Sequence, residues 1–159
     1  KRFIGIIMKP VADMDLHRYL SQRDWTTATL ATLRSWIGCL CSALAYLHQN
    51  QCRHKDLKPQ NILIDGANVL LADFGTALDW TEAESDVTVG PPEAYTRLYI
   101  APEVALQQPR GTPSDIWSLG CVFLEIATVL SGKPLGTKVE YFQSLGTSTA
   151  AYWHNHNAI

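Results

Sequence analysis

A mainly α, α+β architecture is expected from three features of this 159-residue sequence. Apolar residues recur every three or four positions over Thr27–Gln49 and again over 115–128, which is the helical period. Between these stretches lie only short β-type runs, Ile62-Leu63-Ile64 and Val69-Leu70-Leu71-Ala72. Hydrophobic residues make up 47% and charged residues 18%, a globular and not a disordered composition. A domain of this length buries roughly 70% of its unfolded surface, enough for a true core.

Residues 3–8 read as a buried strand, stopped by Pro10, which cannot donate to a ladder. They carry no small-residue cleavage site, so a signal peptide is not indicated. Asp13 then opens a short helix with Leu16 and Leu20 one turn apart. Leu30, Leu33, Trp36, Ile37, Leu40, Leu44 and Leu47 form the apolar stripe of the first long helix. Residues 52–61 are polar and break that period. Asp65-Gly66-Ala67-Asn68 reads as a hairpin turn joining the two β-type runs. Residues 73–102 are mostly irregular, and long loops in compact domains are usually functional or disordered. Thr112-Pro113-Ser114-Asp115 starts the second long helix, with Ile116, Leu119, Phe123 and Ile126 on one face. Beyond Ser131 the pattern weakens through Gly132, Pro134, Gly136 and Gly146.

The net charge is −2, which argues against holding nucleic acid or anionic membrane by bulk positive charge. No apolar run approaches the ~20 residues of a membrane span. Cys39, Cys41, Cys52 and Cys121 form no CxxC pair, so zinc is not indicated. Buried free thiols in a reducing compartment are expected, hence an intracellular place, cytoplasmic or nuclear.

Three clusters carry the chemistry: His54-Lys55-Asp56-Leu57-Lys58-Pro59-Gln60-Asn61, then Asp73-Phe74-Gly75, then Ala101-Pro102-Glu103. With Asp115-Ile116-Trp117-Ser118-Leu119-Gly120 on the following helix, their order resembles the eukaryotic protein kinase family. Lys58-Pro59 resembles the Ser/Thr form of the loop. The resemblance implies a kinase-like large lobe with a short strand and hinge remnant of the small lobe. Residues 1–12 would be the last small-lobe strand and hinge, 13–130 the large lobe, and 131–159 an incomplete downstream segment. It further implies ATP and Mg2+ as cofactors and a protein substrate with a Ser or Thr hydroxyl.

On that resemblance Asp56 would accept or orient the substrate hydroxyl proton, and Lys58 would neutralise the transferred phosphoryl. Asn61 and Asp73 would hold magnesium, Asp73 at the phosphates. Thr96 would bond Asp56 and Lys58, although the family's Gly-Thr-Pro is Tyr95-Thr96-Arg97 here. Lys9 and Val11 would pair with the adenine through backbone groups, beside Met8 as gatekeeper and Leu63 as floor. Asp15 would reach the ribose or cap a helix start; Met8 and Leu63 are alternatively plain core. His54 and Phe74 would stack, and Asp115 would accept backbone N–H groups of the catalytic loop, or act as a plain N-cap. The spacing is compatible: Asp56, Asn61 and Asp73 can converge at one edge, an all-oxygen set suited to magnesium. The competing view is that Asp56 and Asp73 are turn and capping residues.

Lys55 stands where the family usually has Arg, and Lys offers a point charge in place of a fork. One expectation is that the acidic residues of 79–93 stand in for a phosphate opposite Lys55; a solvated loop is the alternative. Thr81, Ser85, Thr88 and Tyr95 are candidate phosphosites. No Arg follows Arg110, so Glu103 lacks its usual partner and is expected to be more exposed, protonated or short of a segment. Nothing before residue 9 supplies a Gly-rich loop or its phosphate-anchoring Lys, so both ends read as cut from a longer kinase. The chain alone is expected to be inactive. A non-catalytic scaffold module is the alternative, and a small-molecule kinase is disfavoured by Phe74-Gly75 and Ala101-Pro102-Glu103.

Overall fold

The computed structural model describes residues 11–22, 24–83, 85–90, 96–145, 147 and 149–158. The strand expected over 3–8, together with Met8 and Lys9, lies outside the described residues. In order come β1 (Met14–Asp15), α1 (Leu16–Leu20), α2 (Thr27–Gln49), β2 (Cys52–Arg53), β3 (Ile62–Asp65) and β4 (Asn68–Leu71). There follow β5 (Leu78–Asp79), α3 (Pro102–Ala105), α4 (Pro113–Leu130) and α5 (Thr137–Ser144). Single 3-10 turns occupy Pro59–Asn61 and Phe74–Thr76, and a longer 3-10 stretch spans Tyr152–Ala158. The fold is helix-rich with few strands, as expected.

α2 begins at a reciprocal capping box in which Thr26 and Thr29 each accept the other's backbone N–H. Its buried stripe is Leu33, Trp36, Leu40 and Leu44. These pack with Leu16 and Leu20 of α1, Ile62 and Ile64 of β3, and Leu119, Val122, Ile126 and Val129 of α4. Each fully buried aliphatic side chain contributes about 1.5–3 kcal/mol. The indole of Trp36 donates to Ala67 O at 2.8 Å and pins the hairpin turn onto α2. That hairpin joins β3 and β4 in the register Ile62↔Leu71 to Asp65↔Asn68, with Gly66 at φ +58° in its turn. β1 pairs antiparallel with the other edge of β3, and β2 pairs with β5 in a separate ribbon.

Several expectations change. The cap of α1 is Asp15, which accepts Arg18 N–H at 2.9 Å, while Asp13 accepts Gly66 N–H at 2.8 Å. Asp13 serves the hairpin and not the helix. Ile116 is exposed and Phe123 half-buried, because α4 turns its Leu119/Val122/Ile126 stripe to the core. Cys39 and Cys41 are exposed; only Cys121 is buried. By length and hydropathy alone α2 and α4 would suffice to cross a membrane, a test that core helices also pass. Both instead supply the core, and α4 carries the buried acids Asp115 and Glu125.

The weak pattern after Ser131 conceals a second cluster. Tyr99, Cys121, Phe142 and Tyr152 pack together, with Trp117 against them. Glu125 is buried beside them and accepts from Tyr99 at 2.9 Å, from Tyr152 at 3.2 Å and from Lys138, which forms its salt bridge. Lys138 also sits 4.6 Å from the Tyr152 ring centroid. Burial, then Glu125, pushes both phenols well above their ordinary range, so they remain neutral donors.

Lys138→Met should therefore leave a buried carboxylate without its cation and lower stability by about 3–5 kcal/mol in urea denaturation; a loss below 1 kcal/mol would contradict this account of α5. Burial also pushes the Cys121 thiol up to about 12. Alkylation near neutral pH should label Cys39 and Cys41 in the folded protein and Cys121 only after denaturation. Labelling of Cys121 at the rate of Cys41 would show that the second cluster opens.

Candidate active site

The loop that follows β2 cannot be helix or ladder, because its backbone donors are used by one buried side chain. Asp115, 1% exposed in the first turn of α4, accepts His54 N–H at 2.8 Å and Lys55 N–H at 2.9 Å. It also meets His48 Nε2 of α2 at 3.1 Å. Both oxygens face the loop, so Asp115 acts there and not as a helix cap. Lys55 is thereby held at φ +68°, a left-handed conformation that costs about 1–2 kcal/mol for a residue with a Cβ.

That bend presents Asp56. Its Oδ2 accepts Lys58 Nζ at 2.5 Å and Asn61 Nδ2 at 3.1 Å, and its Oδ1 accepts Thr96 Oγ1–H at 3.0 Å. Lys58 Nζ also donates to Thr96 Oγ1 at 2.8 Å, closing a ring of three side chains. Asn61 donates again to Asp56 O at 2.9 Å, which fixes the amide so that its oxygen points away from Asp56. Four of the residues singled out in the sequence are thus joined by hydrogen bonds.

Asp73 reaches the same edge through the sheet. Ala72 N–H donates to Asn61 O at 2.9 Å, extending the β3–β4 ladder by one rung to the residue before Asp73. His54 Nε2 lies 2.9 Å from Ala72 O, and its ring packs against Phe74 at 5.0 Å, tilted by 49° and not stacked, tying the loop to Asp73-Phe74-Gly75. Asp73 is exposed at φ +60° and accepts Gly75 N–H through Oδ1 at 3.3 Å. Among the described residues no hydrogen bond engages Asp73 Oδ2 or Asn61 Oδ1. A carboxylate and an amide oxygen with unused lone pairs fit a hard cation such as magnesium.

The adenine-side candidates fall apart from this group. Asp15 and Leu63 are register partners across β1 and β3. Leu63 is half-buried while Ile62 and Ile64 are buried, so it lies off the core face. One oxygen of Asp15 is used in capping α1, and Val11 is 82% exposed. Met8 and Lys9 lie outside the described residues.

The described acids of the stretch, Asp79, Glu82 and Asp86, form no ion pair with Lys55. Among the described residues no carboxylate comes within ion-pair distance of it. Asp79 accepts Thr81 N–H at 2.9 Å and the Thr81 hydroxyl. Asp86 accepts Thr112 N–H at 2.5 Å at the start of α4, which holds its carboxyl below the usual range. A Cβ on Gly111 would lie 2.7 Å from the Asp86 carboxylate, so a side chain there would displace that carboxylate. Glu84, Glu93 and Tyr95 lie outside the described residues. Glu103 is half-buried in the first turn of α3. Arg53 and His48 carried no signal in the sequence, Arg53 because it lies in the polar run 52–61 and His48 because it sits beside the apolar stripe at the end of α2.

The family description "Protein kinase domain" matches residues 1–146. The chain belongs to the protein kinase domain family. Relatives within it include serine/threonine-protein kinase fused of Drosophila melanogaster, 41% identical over 129 residues, 80% of this chain and 15% of that protein. Cyclin-dependent kinase 4 of Xenopus laevis is 42% identical over 115 residues, 72% of this chain and 35% of the relative. Cyclin-dependent kinase 2 of Caenorhabditis elegans is 36% identical over 152 residues, 89% of this chain and 40% of the relative. The kinase-domain chain therefore spans between 15% and 40% of the length of these curated relatives.

Proposed function

We propose that the protein containing this chain transfers the γ-phosphoryl group of ATP to Ser or Thr hydroxyls of protein substrates, with Asp56 as the base. The observation that carries this is the Asp56–Lys58–Thr96 hydrogen-bond ring, with Asn61 bonded to Asp56. The names of the relatives support the Ser/Thr class.

In this reading the substrate hydroxyl oxygen forms the new bond to phosphorus as the bond from phosphorus to the ADP oxygen breaks. Asp56 orients that hydroxyl and takes its proton. Lys58 lies within hydrogen-bond distance of Asp56, so its charge faces the phosphoryl oxygens as negative charge develops on them. Thr96 and Asn61 limit the rotation of the Asp56 carboxylate, which is the positioning that phosphoryl transfer chiefly requires. Asn61 Oδ1 and Asp73 would hold magnesium, which when bound supplies charge neutralisation for the phosphates. Met8, Lys9, Val11, Asp15 and Leu63 would take the nucleoside side of ATP, and the exposure of Val11 suits a backbone contact to a base. The same reading makes the chain the large lobe, with hinge, of a longer kinase in the cytoplasm or nucleus. The two exposed free thiols, Cys39 and Cys41, support a reducing compartment.

Transfer of labelled phosphate to a protein substrate by the full-length protein tests this. Asp56→Asn should lower kcat by about a thousandfold while leaving the Kd for ATP within twofold. Retention of activity within tenfold would remove Asp56 from the role of base. ATP binding without transfer by the wild-type protein would favour the scaffold reading.

A further inference from the structure

Arg53 is a cationic side chain that the proposed reaction does not use and that is fully enclosed. It precedes the catalytic loop on β2 and is 1% exposed. A guanidinium is seldom buried without a carboxylate paired to it. No salt bridge to Arg53 is formed among the described residues. Its terminal nitrogens are instead spent on main-chain carbonyls and side-chain hydroxyls. Nη1 donates to Asp86 O at 2.5 Å and to Arg110 O at 2.9 Å, and reaches Thr88 Oγ1 at 3.4 Å. Nη2 donates to Ser114 Oγ of α4 at 3.4 Å.

These acceptors lie on two segments far apart in sequence. The first, 85–90, follows Asp73-Phe74-Gly75; the second, 110–114, leads into α4. They are bridged by Thr88 N–H to Arg110 O at 2.9 Å and Arg110 N–H to Thr88 O at 3.1 Å. The Asp86 carboxylate then caps Thr112, and the Arg110 guanidinium donates to Gly90 O at 2.7 Å. Arg53 stands behind this bridge as its common donor. Nη1 serves both strands of the bridge while Nη2 anchors the guanidinium to Ser114 of α4, two points that a single ammonium cannot hold at once.

We propose that Arg53 is a positioning residue that docks the 85–90 segment against the start of α4 through main-chain carbonyls, without a phosphate. Burial by itself pushes the guanidinium below its ordinary value, and Asp115 and Asp86 oppose that shift. Among the described residues Lys55 has no carboxylate partner, and both terminal nitrogens of Arg53 are engaged by protein oxygens, so the order of the segment does not wait on an added anion. The consequence for phosphoryl transfer, a segment ordered before any phosphorylation, rests on the reading above; the docking does not.

Peptide-resolved hydrogen exchange of the full-length protein, with no ATP present, tests the docking independently of any activity. Wild-type protein treated with phosphatase should keep the Thr88 and Arg110 amides protected. Arg53→Lys should speed their exchange at least tenfold while amides of 119–129 in α4 stay within twofold. Arg53→Leu should give the larger effect, and if it also exposes α4, Arg53→Lys decides. Unchanged exchange at Thr88 and Arg110 in Arg53→Lys, or protection in the wild type that vanishes with phosphatase, would overturn the proposal.

Discussion

The buried carboxylate of Asp115 is the constraint on which the rest depends. One side chain on α4 takes two consecutive backbone donors of the loop and the ring of His48 on α2. A carboxylate accepting several N–H groups in a dry site is worth more than the same bonds in water, and more costly to lose. Because His54 and Lys55 are fixed, Asp56 has one direction left, and Lys58, Asn61 and Thr96 are close enough to meet it. His54 then carries the constraint onward through Ala72 O to the strand that delivers Asp73.

α4 is accordingly more than a core helix. Its apolar stripe of Leu119, Val122 and Ile126 packs on α1, α2 and β3, while its polar positions each tie down another part of the chain. Ser114 meets Arg53, Asp115 meets the loop, Ser118 donates to Tyr99 O at 2.9 Å, and Glu125 collects Tyr99, Tyr152 and Lys138. Burying these four polar side chains is favourable only because each makes at least one such bond, and that mutual dependence makes the arrangement specific.

How much of this was legible in sequence depended on the kind of signal. The long helices and the hairpin were readable, since period 3.6 and a Gly-containing turn between β-type runs are local properties. Asp56, Lys58, Asn61 and Asp73 were readable because their types and spacing carry a resemblance. Arg53 was not: a lone Arg in a polar run predicts solvent, and its burial follows from carbonyls at 86 and 110 that no local pattern ties to it. Asp13 and Asp15 exchanged roles for a similar reason, since either can cap and only the position of Gly66 decides. The tail after Ser131 looked structureless because its partners, Glu125 and Tyr99, are distant in sequence and its stripe is too short to show a period.

Residue-resolved amide exchange in Asp115→Asn tests the central claim most directly. The amide keeps the shape but replaces one acceptor by a donor facing a backbone N–H. The account predicts at least tenfold faster exchange at His54 and Lys55, with 119–129 of α4 unchanged and a stability loss of about 3 kcal/mol. Exchange at His54 and Lys55 equal to that of the wild type would contradict it, because the loop would then be held by something other than Asp115.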